Sequence, residues 1–175
     1  MNGFNKIAPD KFEPAIFDFF SRQWLLLTAG DVHSGDFNSM TVSWGFLGTM
    51  WNKPAVTLVV RPQRRTLEFL QKYDTFTCCA FPEEFRNDLA FLGKVSGKED
   101  PAKLAKTSLT PVPAENVDAP AFAQASLVLE GRLKVIAPTA GKNFRDKKLA
   151  KEFYPNDDYH YVIIGEVVAI YEKEN

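Results

Sequence analysis

The sequence predicts a mainly β domain in which an antiparallel sheet closes into a barrel and the helices lie outside it. Three observations lead to this fold class. Short apolar runs rich in β-branched residues, such as Ala55–Val60, are typical of buried strands. Turn-forming residues separate the early runs at hairpin-like distances, as at Ser34-Gly35-Asp36. The strands do not alternate with helices as repeated βαβ units, and a lone strand ends the chain.

The first half of the chain begins with a helix over Phe12–Phe20, because its apolar residues recur at helical spacing. Apolar runs bounded by turn signals then predict strands, and Pro62 ends the last of these because proline cannot donate to a ladder. Thr66 is a plausible N-cap for the helix that follows. The strands of this half are predicted over Trp24–Ala29, Ser39–Trp44 and Ala55–Val60, with a break at Asn52-Lys53-Pro54, and the helix over Leu67–Tyr73.

The second half continues the pattern of strands with helices between them. One helix is predicted from the apolar side that Phe85, Leu89 and Leu92 form. Gly165 interrupts the last strand and indicates a bulge or a close approach of another group. The elements are strands over Phe76–Phe81, Ser126–Ile136 and His160–Tyr171, helices over Glu83–Leu92 and Asn143–Phe153, and a loop-rich stretch over Val95–Asp118 with a short helix around Pro101–Lys106.

Length and composition indicate one globular domain over residues 1–175. Hydrophobic residues make up 45% and charged residues 25% of the chain, which excludes disorder, collagen and coiled coil. Lys and Arg number 21 against 22 Asp and Glu, so the net charge is −1. A dedicated nucleic-acid binder should be basic, and no nucleic acid is therefore expected as a partner.

Cysteine usage and the first residues indicate where the protein works. Cys78 and Cys79 are the two cysteines, and neighbours on a strand point to opposite faces, so a disulfide between them would be strained. Packing is expected of them rather than redox chemistry. A reducing compartment follows, and the N-terminus shows neither the basic nor the long apolar region of a signal peptide. The apolar runs are far shorter than the ~20 residues that span a bilayer, so we expect a cytoplasmic protein without a membrane partner.

Several familiar catalytic signatures are missing from the sequence. It contains no GxGxxG, GxxxxGK[ST], HExxH or GxSxG motif. It has two histidines, His33 and His160, so a histidine-rich metal site is not expected and no metal ligand is assigned.

Three arginines fall within five residues in the stretch Arg61-Pro62-Gln63-Arg64-Arg65-Thr66. It follows a buried strand and precedes a helix start. Guanidinium forks match phosphate oxygens, and the free N–H groups of a helix N-terminus favour the same anion. Spacing alone leaves two interpretations open: a phosphate site, or a solvated charged turn with surface ion pairs.

A second stretch, Asn38-Ser39-Met40-Thr41-Val42-Ser43-Trp44-Gly45, alternates small polar residues with apolar ones. The polar side chains could offer hydrogen bonds to a flat heterocycle, and Trp44 could supply an aromatic wall. Taken alone, the stretch also suits an ordinary half-buried strand.

Together these stretches, NSMTVSWG and WNKPAVTLVVRPQRRTLEFL, resemble the flavin reductase-like proteins that bind FMN in a split β-barrel. The similarity extends over roughly residues 15 to 172 and includes Ser96-Gly97, Leu109-Thr110-Pro111, Tyr154-Pro155-Asn156 and Asp158-Tyr159-His160. One departure is Ser108, which stands where relatives often have glycine. The resemblance implies a Greek-key-like split barrel, a homodimer, and FMN near the subunit interface.

The resemblance also implies which residues hold the cofactor. The strand would line the isoalloxazine ring, the arginine stretch would hold the ribityl phosphate, and the later loop residues would approach the ring. His160 is the candidate catalytic residue, since its pKa lies near neutrality, although a histidine at a strand start is often only hydrogen-bonded structure. The predicted FMN-binding residues are Asn38, Ser39, Met40, Thr41, Ser43, Trp44, Arg61, Gln63, Arg64, Arg65, Thr66, Ser96, Gly97, Lys103, Tyr159 and His160.

The function that follows is that of an NAD(P)H-dependent flavin reductase, in which a nicotinamide stacks on the flavin and passes a hydride to N5. The protein would supply binding, orientation and electrostatics, and no covalent nucleophile is needed. The alternative is an FMN-binding electron-transfer protein without a nicotinamide site. A split barrel for another phosphorylated ring, such as a pyridoxal-type ligand, and a barrel without cofactor also stay open.

Overall fold

The computed structural model describes residues 2–174 and consists mainly of β-strands, with four α-helices around them. Among these residues no helix is long and apolar enough to cross a membrane. The strands are β1 (Phe4–Ile7), β2 (Leu25–Asp31), β3 (Asp36–Val42), β4 (Gly45–Met50), β5 (Lys53–Val60), β6 (Thr75–Ala80), β7 (Pro111–Val112), β8 (Ala121–Phe122), β9 (Leu127–Pro138) and β10 (Tyr161–Lys173), and the α-helices are α1 (Ile16–Ser21), α2 (Arg65–Lys72), α3 (Arg86–Lys94) and α4 (Lys147–Phe153).

The main sheet is antiparallel and its two ends are brought together by the chain itself. Its strand order is β3-β2-β6-β9-β10-β5-β4, so β3 and β4 are the two edges. Only Ser43 and Trp44 connect the end of β3 to the start of β4. So short a link cannot cross an open sheet of this width, and the sheet must roll up until its edges meet. The edges do not pair with each other, and the barrel is therefore split at this seam.

The last strand, β10, pairs with three other strands of the barrel. Its first half pairs with β5 and its last residues pair with β1, while β9 follows it along the other side. The register with β9 shifts at Gly165, which confirms the predicted bulge. A Cβ atom added at Gly165 would lie 2.4 Å from the ring of Phe76, so glycine is also required by the close approach of this ring.

Two apolar cores lie on the two faces of the sheet. Successive side chains of β2 and β6 point alternately into one core and into the other. Leu27 and Cys78 belong to the core that α1 and α2 cover, whereas Leu26 and Cys79 belong to the core beside α3. Both cysteines are free and fully buried. Burial raises the pKa of Cys78 well above its usual range and that of Cys79 to about 12, so both are thiols that contribute packing.

The predicted elements differ from the observed ones in several places. Strand β5 begins at Lys53, inside the break predicted at Asn52-Lys53-Pro54, because proline is tolerated near the start of a strand. The helix predicted over Glu83–Leu92 begins with a separate 3-10 turn, so α3 starts at Arg86, and the two-residue strands β7 and β8 were not predicted.

The first helix starts at Ile16 instead of Phe12, because Pro14 disfavours helical backbone before it and lacks an N–H. The strand predicted over Ser39–Trp44 begins earlier and ends at Val42. The short strands β1 and β4 carry no apolar alternation strong enough to predict them. Helix α4 is four residues shorter at its start, where Asp146 caps it by accepting from the N–H groups of Lys148 and Leu149.

Thr66 is not the N-cap of α2, which corrects the sequence prediction. The N-cap position belongs to Arg64, whose side chain makes no capping hydrogen bond. Thr66 is fully buried inside the first turn, and its hydroxyl accepts a hydrogen bond from Asn38. The Thr66 oxygen, which the local sequence pattern assigned to capping the helix, therefore bonds to Asn38 from a distant strand instead.

Candidate active site

A cavity of about 240 Å³ opens at the seam of the barrel. It lies where the unpaired edge of β3 faces the end of β5. The pairing of β4 with β5 ends at Leu58. Val59 and Val60 therefore pair only with β10, which lies along the other side of β5. The cavity is lined by Met40, Thr41, Val42, Ser43, Trp44, Val59, Arg61, Arg64 and His160.

The edge of β3 gives this cavity a backbone hydrogen-bonding surface. Strand β3 pairs with β2 on one side, and no described strand pairs with its other side. An edge strand presents free N–H and C=O groups at alternate positions. Residues 40–43 line the cavity, so a flat ring with polar atoms along its rim can bond to this edge.

Trp44 forms an aromatic wall of the cavity and also reaches the surface. Its side chain is 47% exposed. The ring centroid lies 5.4 Å from that of His160 and 5.6 Å from that of Phe153. One side of the indole is thus held by the protein, and the rest is available to a planar ligand.

Arg61 is fully engaged within the protein. Its guanidinium donates to the carboxylate of Asp158 and, over 2.8 Å, to the carbonyl oxygen of Phe153. It also lies over the ring of Tyr154 at 5.1 Å. The hydrogen bonds from Gln63 and Arg61 hold the pKa of Asp158 below its usual range. Arg61 therefore links the end of β5 to the segment before β10.

Arg65 is engaged in the same way, whereas Arg64 is not. Arg65 Nη1 donates to the carbonyl oxygen of Gly97 over 2.9 Å, and its guanidinium lies 5.6 Å from the ring of Phe69. Within residues 2–174, Arg64 makes no side-chain hydrogen bond or ion pair, although it is half-buried and lines the cavity. Of the three arginines, Arg64 is the one whose guanidinium makes no hydrogen bond to a described residue.

Positive charge accumulates around the cavity, and the pKa values show it. Burial is the largest cause that lowers the pKa of Arg64, that of Lys103 to about 8, and that of His160 to about 4. The second cause is in each case a neighbouring arginine: Arg61 for Arg64 and His160, and Arg64 for Lys103. A carboxylate raises each pKa by a smaller amount: Glu99 for Arg64, Asp100 for Lys103 and Asp158 for His160. A site whose cations disfavour one another in this way is stabilised by an incoming anion.

Asn38, Thr66 and Gly97 lie close together beside the cavity. Asn38 Nδ2 donates to the Thr66 hydroxyl over 2.6 Å. A Cβ atom added at Gly97 would lie 2.2 Å from Asn38 Oδ1, so only glycine allows the 96–97 loop to approach β3 so closely. These three residues join β3, the first turn of α2 and this loop.

The model of the flavin reductase like domain matches residues 17–175. The chain belongs to this family. No curated protein matches the chain.

Solved structures with the same split-barrel fold include flavin proteins from several bacteria. An FMN-binding domain of a flavin reductases-like enzyme from Shewanella baltica superposes with a TM-score of 0.70 at 17% identity, over 98% of this chain and 78% of the other. Flavoredoxin of Desulfovibrio vulgaris gives 0.66 at 22% identity, over 86% and 69%. An FMN-binding protein from Thermus thermophilus with bound p-hydroxybenzaldehyde gives 0.67 at 17%, over 98% and 83%. The predicted fold, a mainly β split barrel, is confirmed.

Within this flavin reductase-like fold, the structure places some predicted site residues around the cavity and others behind it. Seven line the cavity: Met40, Thr41, Ser43, Trp44, Arg61, Arg64 and His160. The hydroxyls of Ser39 and Thr41 are committed to Thr28 and to the carbonyl oxygen of Leu89. Their hydrogen bonds fasten β3 to β2 and α3.

Four further predicted residues also lie outside the lining. Lys103 is 3% exposed and donates to the carbonyl oxygens of Leu92 and Val95 at the end of α3. Ser96 bonds within its own turn, where its hydroxyl accepts from the N–H of Lys98. Tyr159 donates to Asp157 and Gln63 donates to Asp158. These residues shape the loops around the cavity, and a contact with FMN stays a prediction for them.

Sequence reasoning did not assign four residues that the structure brings to the site. Val42 and Val59 line the cavity, but an apolar residue in a strand carries no signal of this role. Asp158 and Tyr154 lie in the motif that supports the resemblance, yet no role was assigned to them. Asp158 could have been found as the carboxylate nearest in sequence to His160 that can pair with the arginine stretch.

Proposed function

We propose that the chain binds FMN in the seam cavity and catalyses flavin reduction by NADH or NADPH. The observation that carries the proposal is Arg64, a half-buried guanidinium at the start of α2 that makes no hydrogen bond or ion pair with a described residue, although Glu99 acts on it electrostatically. Burial and the charge of Arg61 lower its pKa, so its cationic form gains from an anion at this place. A phosphate monoester is the ligand that a free guanidinium fork and a helix N-terminus both favour.

The residues present fit the parts of FMN. Arg64 and the free N–H groups at the start of α2 would hold the phosphate. The unpaired edge of β3 would bond to the polar rim of the ring system, and Trp44 would cover part of it. When bound, FMN supplies the hydride and electron chemistry, so the chain itself needs only to bind and orient. Arg61 and Asp158 would keep the segment before β10 against the cavity.

Family membership supports the reductase activity, since the matching domain is named for it. The exposed part of Trp44 leaves the cavity open on one side, where a second flat molecule can approach. The bound p-hydroxybenzaldehyde of the Thermus thermophilus protein supports such an approach, because it is a flat aromatic carbonyl compound held by the same fold.

A second candidate function is that of an FMN-binding electron-transfer protein without a nicotinamide site. The similarity to a flavoredoxin at 22% identity favours it. Binding of FMN is common to both candidates, and they differ in whether a nicotinamide reduces the complex directly.

The FMN site is tested by titrating the protein with FMN and with riboflavin, which lacks the phosphate. We expect Arg64→Ala to weaken FMN binding about ten- to a hundredfold, because a charge-assisted hydrogen bond contributes about 1.5–3 kcal/mol. Its affinity for riboflavin should stay unchanged. Arg65→Ala is the matched control, because its guanidinium is occupied by Gly97 and Phe69 and its loss should affect both ligands equally.

Wild-type affinity of Arg64→Ala for FMN would contradict the site. Tight binding of pyridoxal phosphate in place of FMN would show a phosphate site for a different ring. The activity is tested by adding NADH or NADPH to the FMN complex without oxygen. Rapid bleaching of the visible absorbance supports the reductase, and an unbleached complex supports the electron-transfer protein.

We further propose a homodimer that buries the apolar surface next to the cavity. Phe17 on α1 is 87% exposed and Phe46 on the edge strand β4 is 71% exposed. These two residues line a second, uncharged cavity together with Trp44, which belongs to both cavities. A twofold contact between two such surfaces brings no like charges together and covers the open side of the site.

The dimer is tested by light scattering. We expect a mass of two 19.7 kDa chains for the wild type and of one chain for Phe46→Lys. Leu149→Lys is the control, since Leu149 is a similarly exposed apolar residue on α4. A wild-type mass of one chain with flavin bound would disprove the dimer.

A further inference from the structure

Tyr154 and His160 form a hydrogen-bonded pair at the cavity. Tyr154 directly follows α4, and His160 directly precedes β10. The Tyr154 hydroxyl oxygen lies 2.8 Å from Nδ1 of His160, and the rings stand nearly perpendicular at 84°. The Tyr154 ring is held in place by Arg61, 5.1 Å from its centroid, and by the Tyr159 ring at 4.9 Å.

The direction of this hydrogen bond depends on the tautomer of His160. The Tyr154 hydroxyl has one hydrogen, and its described partner is His160 Nδ1. A phenol that donates to Nδ1 requires that nitrogen to be unprotonated, so a neutral ring then carries its proton on Nε2.

The other ring nitrogen, Nε2, is not fully buried. It has no hydrogen-bond partner among residues 2–174. It is also not a buried atom, because Asp158 Oδ1 is the one buried side-chain nitrogen or oxygen of the described residues that lacks a partner. His160 is 9% exposed and lines the cavity together with Trp44.

We propose that Tyr154 is a positioning residue that holds His160 in its Nε2–H tautomer, so that the ring presents an N–H donor to a carbonyl oxygen of a flat ligand in the cavity. The identity of that ligand rests on the proposed flavin function. The isoalloxazine ring and the nicotinamide carboxamide both carry such a carbonyl, and the experiment below distinguishes them.

The charges around His160 keep this donor neutral over a wide pH range. Burial is the largest cause that lowers the pKa of the ring; Arg61 and Arg64 lower it further, and Asp158 raises it. With a pKa of about 4, the imidazole stays neutral at physiological pH. Its role is therefore that of a hydrogen-bond donor and not of a proton reservoir.

The tautomer is measured first, on the full ¹⁵N-labelled chain without ligand, by long-range ¹H–¹⁵N NMR of the imidazole nitrogens. The chain has two histidines, so His160→Gln leaves the signals of His33 and assigns both rings. We expect His160 to show a protonated Nε2 and an unprotonated Nδ1. A protonated Nδ1 in the wild type would overturn the proposal before any further variant is made.

Two matched variants then identify what holds the tautomer. Tyr154→Phe keeps the ring and removes the hydroxyl, and we expect both His160 tautomers to become populated. Tyr159→Phe removes the neighbouring hydroxyl, which bonds to Asp157, and should leave the His160 signals unchanged. Equal tautomer populations in Tyr154→Phe and wild type would also overturn the proposal.

The ligand is identified by adding FMN and then NAD⁺ while the Nε2 signal is followed. A shift with FMN alone assigns the donor to a flavin carbonyl, and a shift only after NAD⁺ assigns it to the carboxamide. Tyr154→Phe should weaken the affinity for that ligand about two- to tenfold. No shift with either compound, while the flavin absorbance shows binding, would overturn the donor role. A failure to bind FMN would contradict the proposed function alone, because the tautomer is measured without ligand.

Discussion

Asn38 Nδ2 donates a 2.6 Å hydrogen bond to the hydroxyl of Thr66, 28 residues away in the sequence. Asn38 lies on β3 and Thr66 in the first turn of α2, so this bond joins the strand and the arginine stretch into one site. Both side chains are buried. The bond therefore fixes where the start of α2, with Arg64, lies relative to the edge of β3.

Removing the acceptor of this bond should destabilise the protein. Thr66→Val keeps the shape of the side chain but leaves the buried Asn38 amide with only a 3.3 Å bond to the carbonyl oxygen of Ser39. We expect a loss of about 1–3 kcal/mol in the free energy of unfolding, measured by urea denaturation. Thr49→Val on the exposed strand β4 is the control and should change little. Equal effects of the two variants would show that the bond contributes nothing specific.

Gly97→Ala should displace the loop that contacts the same amide. The added methyl group would lie 2.2 Å from Asn38 Oδ1 and 3.2 Å from Arg65 Cδ, so the loop or both side chains must move. We expect a melting temperature lower by about 4–10 °C and weaker FMN binding. The matched control is Gly48→Ala on β4, where an added Cβ meets nothing within 4 Å. A wild-type melting temperature for Gly97→Ala would mean that the loop yields without cost.

Trp44→Phe should increase the fluorescence of bound flavin, because a nearby indole quenches it. The indole lines the cavity and is held by His160 and Phe153 on one side. We expect either stronger emission from the bound flavin or a lower affinity for FMN, both measured by following flavin emission during an FMN titration. Trp51→Phe removes an exposed indole in the β4–β5 turn and should alter neither. Identical emission and affinity in Trp44→Phe would place the ring outside the flavin site.

Acid should destabilise the fold through His160 before the carboxylates contribute. The pKa of His160 is about 4 in the folded protein, against an ordinary value of 6.5. Between these two values the unfolded chain binds the proton and the folded chain does not, so stability falls as the pH is lowered from about 6.5 to about 4.

The size of this loss is at most about 3–4 kcal/mol, since the two pKa values are 6.5 and about 4 and one pKa unit corresponds to about 1.4 kcal/mol. The measurement is urea denaturation at several pH values in this window. In His160→Gln, which cannot titrate, the slope between pH 6.5 and 4 should be reduced. An unchanged slope in that variant would assign the acid sensitivity to other groups.

Both thiols should be inert in the native protein. Cys78 and Cys79 are fully buried on opposite faces of β6, and burial raises the pKa of each. A thiol reagent such as DTNB should react with neither in buffer and with both in guanidinium chloride. Labelling of either cysteine within minutes under native conditions would indicate local opening of β6.

The fold class was determined by features that are local in the sequence. Apolar runs such as Ala55–Val60 and the turn residues between them predict strands in any context, because alternation and turn chemistry act over a few residues. Gly165 likewise marks its own bulge. The motifs around Trp44 and Arg64 were sufficient to indicate the family and its cofactor.

Only the tertiary structure decided which residues face the cavity. Arg61, Arg64 and Arg65 are equivalent in the sequence. They differ in the structure because Arg61 bonds to Asp158, 97 residues away, and Arg65 bonds to Gly97, 32 residues away, whereas Arg64 bonds to neither. Thr66 was assigned to the helix end for the same reason, since its true partner Asn38 is distant in the chain. Hydrogen bonds between distant segments depend on the path of the whole sheet, and local pattern carries no information about that path.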